Sequence, residues 1–191
     1  MTETLLGLLR HGQTDWNIDL RLQGSSDIPL NETGKEQARL AGSLLNREDW
    51  DVLIASPLSR ARDTAQIIGN QLNMPVVIVP ELIERSFGVA EGLSHSEWRR
   101  IYESNEVIEG LESIESLRTR SEELLALIAN QYAGARVLAV SHGAFIRKVL
   151  RVVSDNQLPK DGDRLGNASL NKVQHSDGLW SIADYRPETL N

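Results

Sequence analysis

Apolar residues in this chain fall into short runs separated by stretches of helical period. Leu5–Leu9 is one such run and reads as a buried strand, and Val52–Ala55, Val76–Val79 and Arg136–Val140 read the same way. Between the first two runs, Thr33-Gly34-Lys35-Glu36 has the form of a capping box, followed by Ala38, Leu40, Ala41, Leu44 and Leu45 at helical spacing. Ser56-Pro57 predicts the start of a second helix reaching about Leu72, with Ala61, Ala65, Ile67 and Ile68 available to a core. Ser94-His95-Ser96-Glu97 opens a short helix, Leu117 to Tyr132 a longer amphipathic one, and Ala144–Val153 a last one. Ser169–His175 and Leu179–Tyr185, split by Ser176-Asp177-Gly178, predict an antiparallel pair. Strands alternating with helices predict an α/β fold, a three-layer α/β/α sandwich with a mostly parallel sheet and an antiparallel edge strand. Neither repeat nor linker interrupts the pattern, so residues 1–191 are expected to form a single domain. The least regular stretch, about 104–116, is acidic, and a small lid or insert is expected at about 93–117.

Composition narrows the chemistry. With 27 acidic and 20 basic residues the formal net charge is -7, which argues against a nucleic-acid partner. There is no cysteine, so a thiol nucleophile, a thiolate metal site and a disulfide framework are all excluded. No apolar run suits a bilayer span or a signal-peptide core, so no membrane partner and a cytoplasmic location are expected. Nothing in the sequence specifies an oligomeric state.

Two of the four histidines share a context. His11 follows an apolar strand and precedes Gly12, and His142 follows Leu138-Ala139-Val140-Ser141 and precedes Gly143. In an open α/β sheet ligands bind where strand ends enter helices, so both histidines are placed at one rim. A single such histidine is ordinarily a hydrogen-bonded loop residue; a matched pair with Arg10 beside the first points to a site. Arg60, expected one turn into the helix after the second strand, adds a second guanidinium at that rim. Arginine forks suit phosphoryl oxygens, and phosphoryl transfer needs mainly positioning and charge neutralisation. Neither a His-Glu-x-x-His motif nor an Asp-rich calcium loop is present, so no metal and no cofactor are expected.

Leu9-Arg10-His11-Gly12-Gln13-Thr14-Asp15-Trp16-Asn17 resembles the signature of the histidine phosphatase superfamily, which includes the phosphoglycerate mutases. The likeness continues in order along the chain. It includes Leu22-Gln23-Gly24, Asp27-Ile28-Pro29-Leu30-Asn31, and Ala55-Ser56-Pro57-Leu58-Ser59-Arg60-Ala61-Arg62-Asp63-Thr64-Ala65. Further on come Leu82-Ile83-Glu84-Arg85-Ser86-Phe87-Gly88 with Glu91-Gly92, then Val140-Ser141-His142-Gly143 and Asn167-Ala168-Ser169. The resemblance implies that His11 is the nucleophile, phosphorylated on a ring nitrogen whose partner nitrogen donates to a fixed acceptor. It implies that Arg10, Arg60 and His142 clamp the phosphoryl oxygens. Asn17, Gln23, Gly24 and Gly143 would supply further contacts to the substrate. Glu84 would protonate the leaving alkoxide and then activate water. The expected activity is hydrolysis of small-molecule phosphate monoesters, with a cofactor-dependent phosphoglycerate mutase and a non-catalytic phospholigand-binding module as alternatives.

Other residues carry less. Arg62 and Asp63 suit a solvated helix face, and His175 a structural strand position. Trp16 and Phe87 fit either a pocket wall or the core. His95 stands, by the resemblance, where mutases carry a lysine, and only Arg99 and Arg100 offer positive charge nearby; both features favour hydrolysis over mutase turnover. Glu103, Glu106, Glu109, Glu112 and Glu115 point away from a highly anionic substrate by repulsion, although a solvated face accounts for them equally.

Overall fold

A computed structural model describes residues 3–104 and 107–190. Its centre is a six-stranded sheet of β1 (Thr4–Arg10), β2 (Val52–Ala55), β3 (Val76–Ile78), β4 (Arg136–Ser141), β5 (Leu170–Ser176) and β6 (Leu179–Asp184). The strand order is β3-β2-β4-β1-β5-β6. β1, β2, β3 and β4 run parallel; β5 is antiparallel to both β1 and β6, which makes the last two strands an antiparallel edge pair. The helices are α1 (Asp15–Ile18), α2 (Glu32–Leu44), α3 (Ser59–Leu72), α4 (His95–Glu103), α5 (Ile114–Gln131) and α6 (Gly143–Val153).

Period-two alternation sends each strand's side chains to two cores. Leu6 and Leu8 of β1, with Val137 and Ala139 of β4, meet α5 and α6 through Leu124, Ile128, Phe145 and Val149. Leu9, Leu138 and Val140 face the other way, onto Ala61, Ala65 and Ile68 of α3 and Ala41 of α2. Burial on both faces is why these strands read as unbroken apolar runs. Gly7 falls on the second face because Trp50 lies across it: a Cβ there would sit 2.4 Å from the indole. The helices following β1 and β2 thus cover one face and those flanking β4 the other. The chain reverses sides between β1 and β4, and a crevice opens at their carboxyl ends.

Three predicted helix starts differ from the observed ones. α2 begins at Glu32, capped by Asn31, whose Oδ1 accepts from Gly34 N at 2.8 Å, so the Thr33 to Glu36 box is already inside the helix. Asn31 is pinned at that position by its own N–H, which donates to Gln13 O. α3 begins at Ser59, three residues beyond Ser56, and Leu58 gives no side-chain cap. Ser59 N is satisfied from a distance instead, by Asp27 Oδ1 at 2.7 Å. α5 also starts earlier than its apolar pattern, at Ile114, capped by Ser113. Among the described residues no helix is long and apolar enough to cross a membrane.

Candidate active site

β1 and β4 are paired in register, with Arg10 opposite Ser141. The next residue of each strand is therefore a histidine, and the rings of His11 and His142 lie 5.2 Å apart between centroids. β2 flanks β4 on its other side with Ala55 opposite Val140, which brings Ser56 to the same rim. Arg60 sits at the second position of α3, closer to the strand end than one turn, and its side chain is fully buried.

His11 is 2% exposed and its Nδ1 lies 2.6 Å from Gly12 O. A carbonyl oxygen only accepts, so Nδ1 carries the proton and the lone pair is on Nε2. Burial, reinforced by the charges of Arg60 and Arg10, holds the imidazole well below the ordinary histidine range, so the ring is neutral near pH 7. Gly12 is required at the next position because a Cβ there would stand 2.3 Å from Gly34 O. Its N–H donates to Thr64 Oγ1, and that hydroxyl donates on to Arg60 O at 2.7 Å, tying the His11 turn to α3.

The donors around this ring are oriented by their acceptors. Arg60 donates to Gly24 O at 2.7 Å and Ser26 O at 2.8 Å through its two terminal nitrogens, and from Nε to His142 Nδ1 at 3.2 Å. His142 must then carry its proton on Nε2, which lies 2.7 Å from Ser56 Oγ. Both ring nitrogens of His142 are engaged, it is fully buried, and it stands behind the cavity wall rather than in it. Asn17 accepts at Oδ1 from Thr14 N and Asn167 Nδ2, which leaves the one proton of the Thr14 hydroxyl for Gln23. Gln23 Oε1 lies 3.0 Å from the same Thr14 hydroxyl. In both amides the oxygen end is occupied, which leaves the NH2 end for an anion. Arg10 donates from Nη1 to Leu165 O, and its Nε is buried with no partner among the described residues. Burial lowers the Arg10 guanidinium to about 10, still cationic at neutral pH. Gly143 admits this side chain, since a Cβ there would lie 3.3 Å from Arg10 Nε.

Glu84 completes the rim at 9% exposure. Its Oε1 accepts from Arg85 N and Phe145 N at 2.8 and 2.9 Å, and Oε2 accepts from Ala144 N at 3.0 Å. The carboxylate is thus clamped at the amino end of α6. These groups line a cavity of about 880 Å³, with Trp16, Phe87, His95, Trp98 and Arg99 on its outer side.

All the predicted site residues except His142 line this cavity: Arg10, His11, Asn17, Gln23, Gly24, Arg60, Glu84 and Gly143. Gly24 takes a left-handed φ of +53° and presents its carbonyl to Arg60. Trp16 and Phe87 are wall residues; Arg99 lines the cavity and Arg100 does not. Of the acidic residues from Glu103 to Glu115, only Glu103 reaches the wall among those described, and Glu106 lies outside the described residues. Glu112 is not on a solvated face: it pairs with Arg120 at 2.9 Å, both half-buried or better. The expectation that Arg99 and Arg100 are the nearby cations is overturned, because Arg147 and Arg164 also line the cavity.

Four positioning residues escaped sequence reasoning. Ser56 read as a helix cap, but its hydroxyl meets His142. Thr64, within the 55–65 segment, has the look of an ordinary helix residue, but its hydroxyl joins Gly12 N to Arg60 O. Glu91 accepts from the backbone N–H and hydroxyl of Ser25 and Ser26 and from Phe87 N, holding the loop that carries Gly24. Arg120 donates to Glu81 O and Ile83 O at 2.9 and 2.6 Å and fixes the approach to Glu84. Only Glu91 had a local signal, its place beside Gly92.

Comparison with known proteins identifies the family. A family model, histidine phosphatase superfamily (branch 1), matches residues 6–187. A Bacillus subtilis protein named uncharacterized phosphatase PhoE is 38% identical over 95% of this chain and 94% of its own. A Photorhabdus laumondii protein named probable phosphoglycerate mutase GpmB is 33% identical over 95% of this chain and 90% of its own. The structure of phosphoserine phosphatase from Entamoeba histolytica in complex with 3-phosphoglyceric acid superposes with a TM-score of 0.82 at 26% identity, covering 96% of each chain. The chain belongs to the histidine phosphatase superfamily.

Proposed function

We propose that this protein hydrolyses small-molecule phosphate monoesters through a phosphohistidine at His11, without a metal. The observation that carries the reading is the fixed tautomer of His11: Nδ1 is held by Gly12 O, and a buried, neutral ring presents Nε2 among cations and amide donors. In the first step Nε2 attacks phosphorus, the P–O ester bond breaks, and Glu84 gives a proton to the departing alkoxide oxygen. In the second, Glu84 takes a proton from water, the water oxygen attacks phosphorus, and the P–N bond breaks to return neutral His11 and inorganic phosphate. Arg10 and Arg60 neutralise the phosphoryl oxygens, with the NH2 ends of Asn17 and Gln23 as further donors. His142 differs from the role first expected: with both nitrogens occupied it aligns Arg60 rather than donating to phosphate.

The test is covalent labelling. Enzyme mixed with labelled substrate and quenched in alkali retains acid-labile, base-stable label, and His11→Ala loses the label and at least roughly four orders of magnitude in rate. Label persisting in His11→Ala would remove His11 from the mechanism. Activity is expected to survive exhaustive chelation; loss in chelator with recovery on adding a divalent ion contradicts the metal-free reading.

Phosphoglycerate mutase activity is the second reading, and the arginines of the cavity wall favour it more than the sequence suggested. Supplying 3-phosphoglycerate with 2,3-bisphosphoglycerate and measuring 2-phosphoglycerate against free phosphate separates the two. Phosphate release is expected to dominate.

A further inference from the structure

We propose that the Arg120–Glu112 ion pair fixes where Glu84 stands, and through Glu84 sets the rate on leaving groups that need a proton. The proposal rests on the phosphoryl-transfer reading above and names two positioning residues that act through its acid. Neither of them lines the cavity.

Glu84 has no strand or long helix of its own to stand on. It lies between two single turns, Pro80–Leu82 and Gly88–Ala90, in a stretch outside every regular element. Irregular backbone of this kind keeps its place only as far as other groups hold it. Before Glu84, three successive carbonyls are taken by side chains of other elements. Glu81 O and Ile83 O accept from Arg120 Nη1 at 2.9 and 2.6 Å, and Leu82 O accepts from Ser141 Oγ at 2.7 Å. After Glu84, the chain is tied to Glu112. Ser86 O accepts from Glu112 N at 2.9 Å, and Arg85 Nε donates to Glu112 O at 3.0 Å. The two tethers form one unit, because Arg120 Nε and Nη2 fork onto the two carboxylate oxygens of Glu112 at 3.1 and 2.9 Å. Arg120 also lies over the Phe145 ring, 4.6 Å from its centroid, and Phe145 N is a donor to the Glu84 carboxylate. The supports of Glu84, along its chain and at its carboxylate, therefore converge on one guanidinium.

The pair is largely withdrawn from water, with side chains 18% and 14% exposed, so solvent screens it little. A lysine would carry its donors on a single point and could not span a carboxylate edge and two carbonyls at once. Proton delivery needs the acid within hydrogen-bond reach of the leaving oxygen, and a misplacement of about 1 Å costs on the order of a hundredfold. Arg10, Arg60, Asn17 and Gln23 take their hydrogen bonds from other partners, so release of Glu84 leaves the phosphoryl donors in place.

Leaving-group dependence tests this. Rapid-quench phosphorylation rates are compared on ethyl phosphate, whose alkoxide needs a proton, and p-nitrophenyl phosphate, whose phenolate leaves almost unaided. Arg120→Lys is expected to slow the ethyl ester roughly tenfold to a hundredfold and the nitrophenyl ester less than about threefold. Glu112→Gln, which keeps the shape and one accepting oxygen, is expected to act in the same direction by about threefold to tenfold. Arg118→Gln, whose partner on α5 is the exposed Glu122, leaves both rates unchanged. In a Glu84→Gln background Arg120→Lys is expected to add less than about twofold, because the function it supports is already gone. Should Arg120→Lys fail to fold, by urea unfolding, Glu112→Gln carries the same comparison. Equal slowing of both esters, no slowing of either, or an undiminished effect in the Glu84→Gln background overturns the proposal and leaves the phosphatase reading standing. Equal slowing of both esters by Glu84→Gln itself removes the acid assignment, and the role of the pair with it.

Discussion

The floor of the cavity and its outer cover are held in opposite ways. On the floor the polar side chains are oriented by protein: Arg60 makes three hydrogen bonds, His142 uses both ring nitrogens, and Asn17 Oδ1 meets two donors. His142 follows β4 directly, while Asn17 and Arg60 stand in the first turns of α1 and α3, the helices that follow β1 and β2. The cover, α4, buries none of its residues and rests on aromatic edges, with Trp98 5.4 Å from Phe87 and 5.2 Å from Tyr102 between ring centroids. Arg85 lies over the Phe87 ring at 5.3 Å. Preorganised donors are needed where charge develops in a transition state, since reorienting them then would raise the barrier. A leaving group of varied shape needs no such rigidity, and loosely held aromatic surface tolerates it.

Breaking the floor is expected to cost most. Glu84→Gln keeps the size of the side chain and can no longer give up a proton. The phosphorylation step on an alkyl phosphate is expected to slow by roughly 10²–10⁴-fold, and on p-nitrophenyl phosphate, whose phenolate leaves almost unaided, by much less. Rapid-quench measurement of that first step checks this, because the second step also needs Glu84. Equal losses on both esters would show that Glu84 serves only to cap the amino end of α6.

Next in size is Glu91→Ala, one shell behind the floor. The substitution removes the acceptor for Ser25, Ser26 and Phe87, and so releases the loop whose carbonyls anchor Arg60. Stability should fall by about 1–3 kcal/mol, the usual cost of leaving such donors unmade. The KM for every ester should rise together, read by urea unfolding and steady-state kinetics. A change confined to one ester would place Glu91 among the specificity residues instead.

The division between floor and cover also explains what could be read from the chain. Strand positions and the two histidines were legible because both depend on local pattern: apolar runs buried on both faces, each ending in a His-Gly turn. The partners of those histidines were not. Ser56 has the propensity of a helix cap, but its hydroxyl is taken by a residue 86 positions away. Thr33 to Glu36 matches a capping box, yet Asn31 was already held by Gln13 O and capped first. Arg120 and Arg147 carry no local signal, and only the packing of α5 and α6 brings the first to Glu112 and the second to the cavity wall. The acidic stretch divides: Glu112 is consumed by Arg120, while Glu109 and Glu115 are exposed and do not line the cavity.

A smaller effect is expected from the cover. Trp98→Ala removes the ring between Phe87 and Tyr102 without touching any hydrogen bond of the floor. Phosphoenzyme formation at saturating substrate should stay within about twofold, while KM for bulky esters rises several-fold and KM for methyl phosphate does not; the loss is one aromatic contact of about 0.5–1.5 kcal/mol plus its buried area. A fall in the saturated rate for methyl phosphate would mean that α4 shapes the floor after all.

The smallest effect expected is that of mild acid on the nucleophile itself, and it separates floor from cover most sharply. His11 and His142 are held well below the ordinary histidine range, in each case first by burial and then by Arg60. Between pH 8 and 6 the His11 ring therefore stays neutral. The phosphorylation rate should decline only as the substrate's phosphate takes its second proton near pH 6, and an ester with a more acidic phosphate should move that decline with it. Stability behaves differently. Unfolded histidines bind protons as pH falls through about 6.5, whereas the two folded ones do not. The unfolded chain then holds more protons, and each buried histidine lowers stability by up to about 1.4 kcal/mol per pH unit below that point. Asp51, held down to about 2 by Arg136, stays ionised across this range in the folded protein and adds nothing to the slope above pH 5. Urea midpoints should accordingly drop between pH 7.5 and 5.5, while ring nitrogen shifts of His11 continue to report the neutral form protonated at Nδ1. A rate profile with a fixed limb near pH 6.5, unmoved by the choice of ester, would show that His11 titrates like an exposed histidine and that the floor is not sealed as the hydrogen bonds imply.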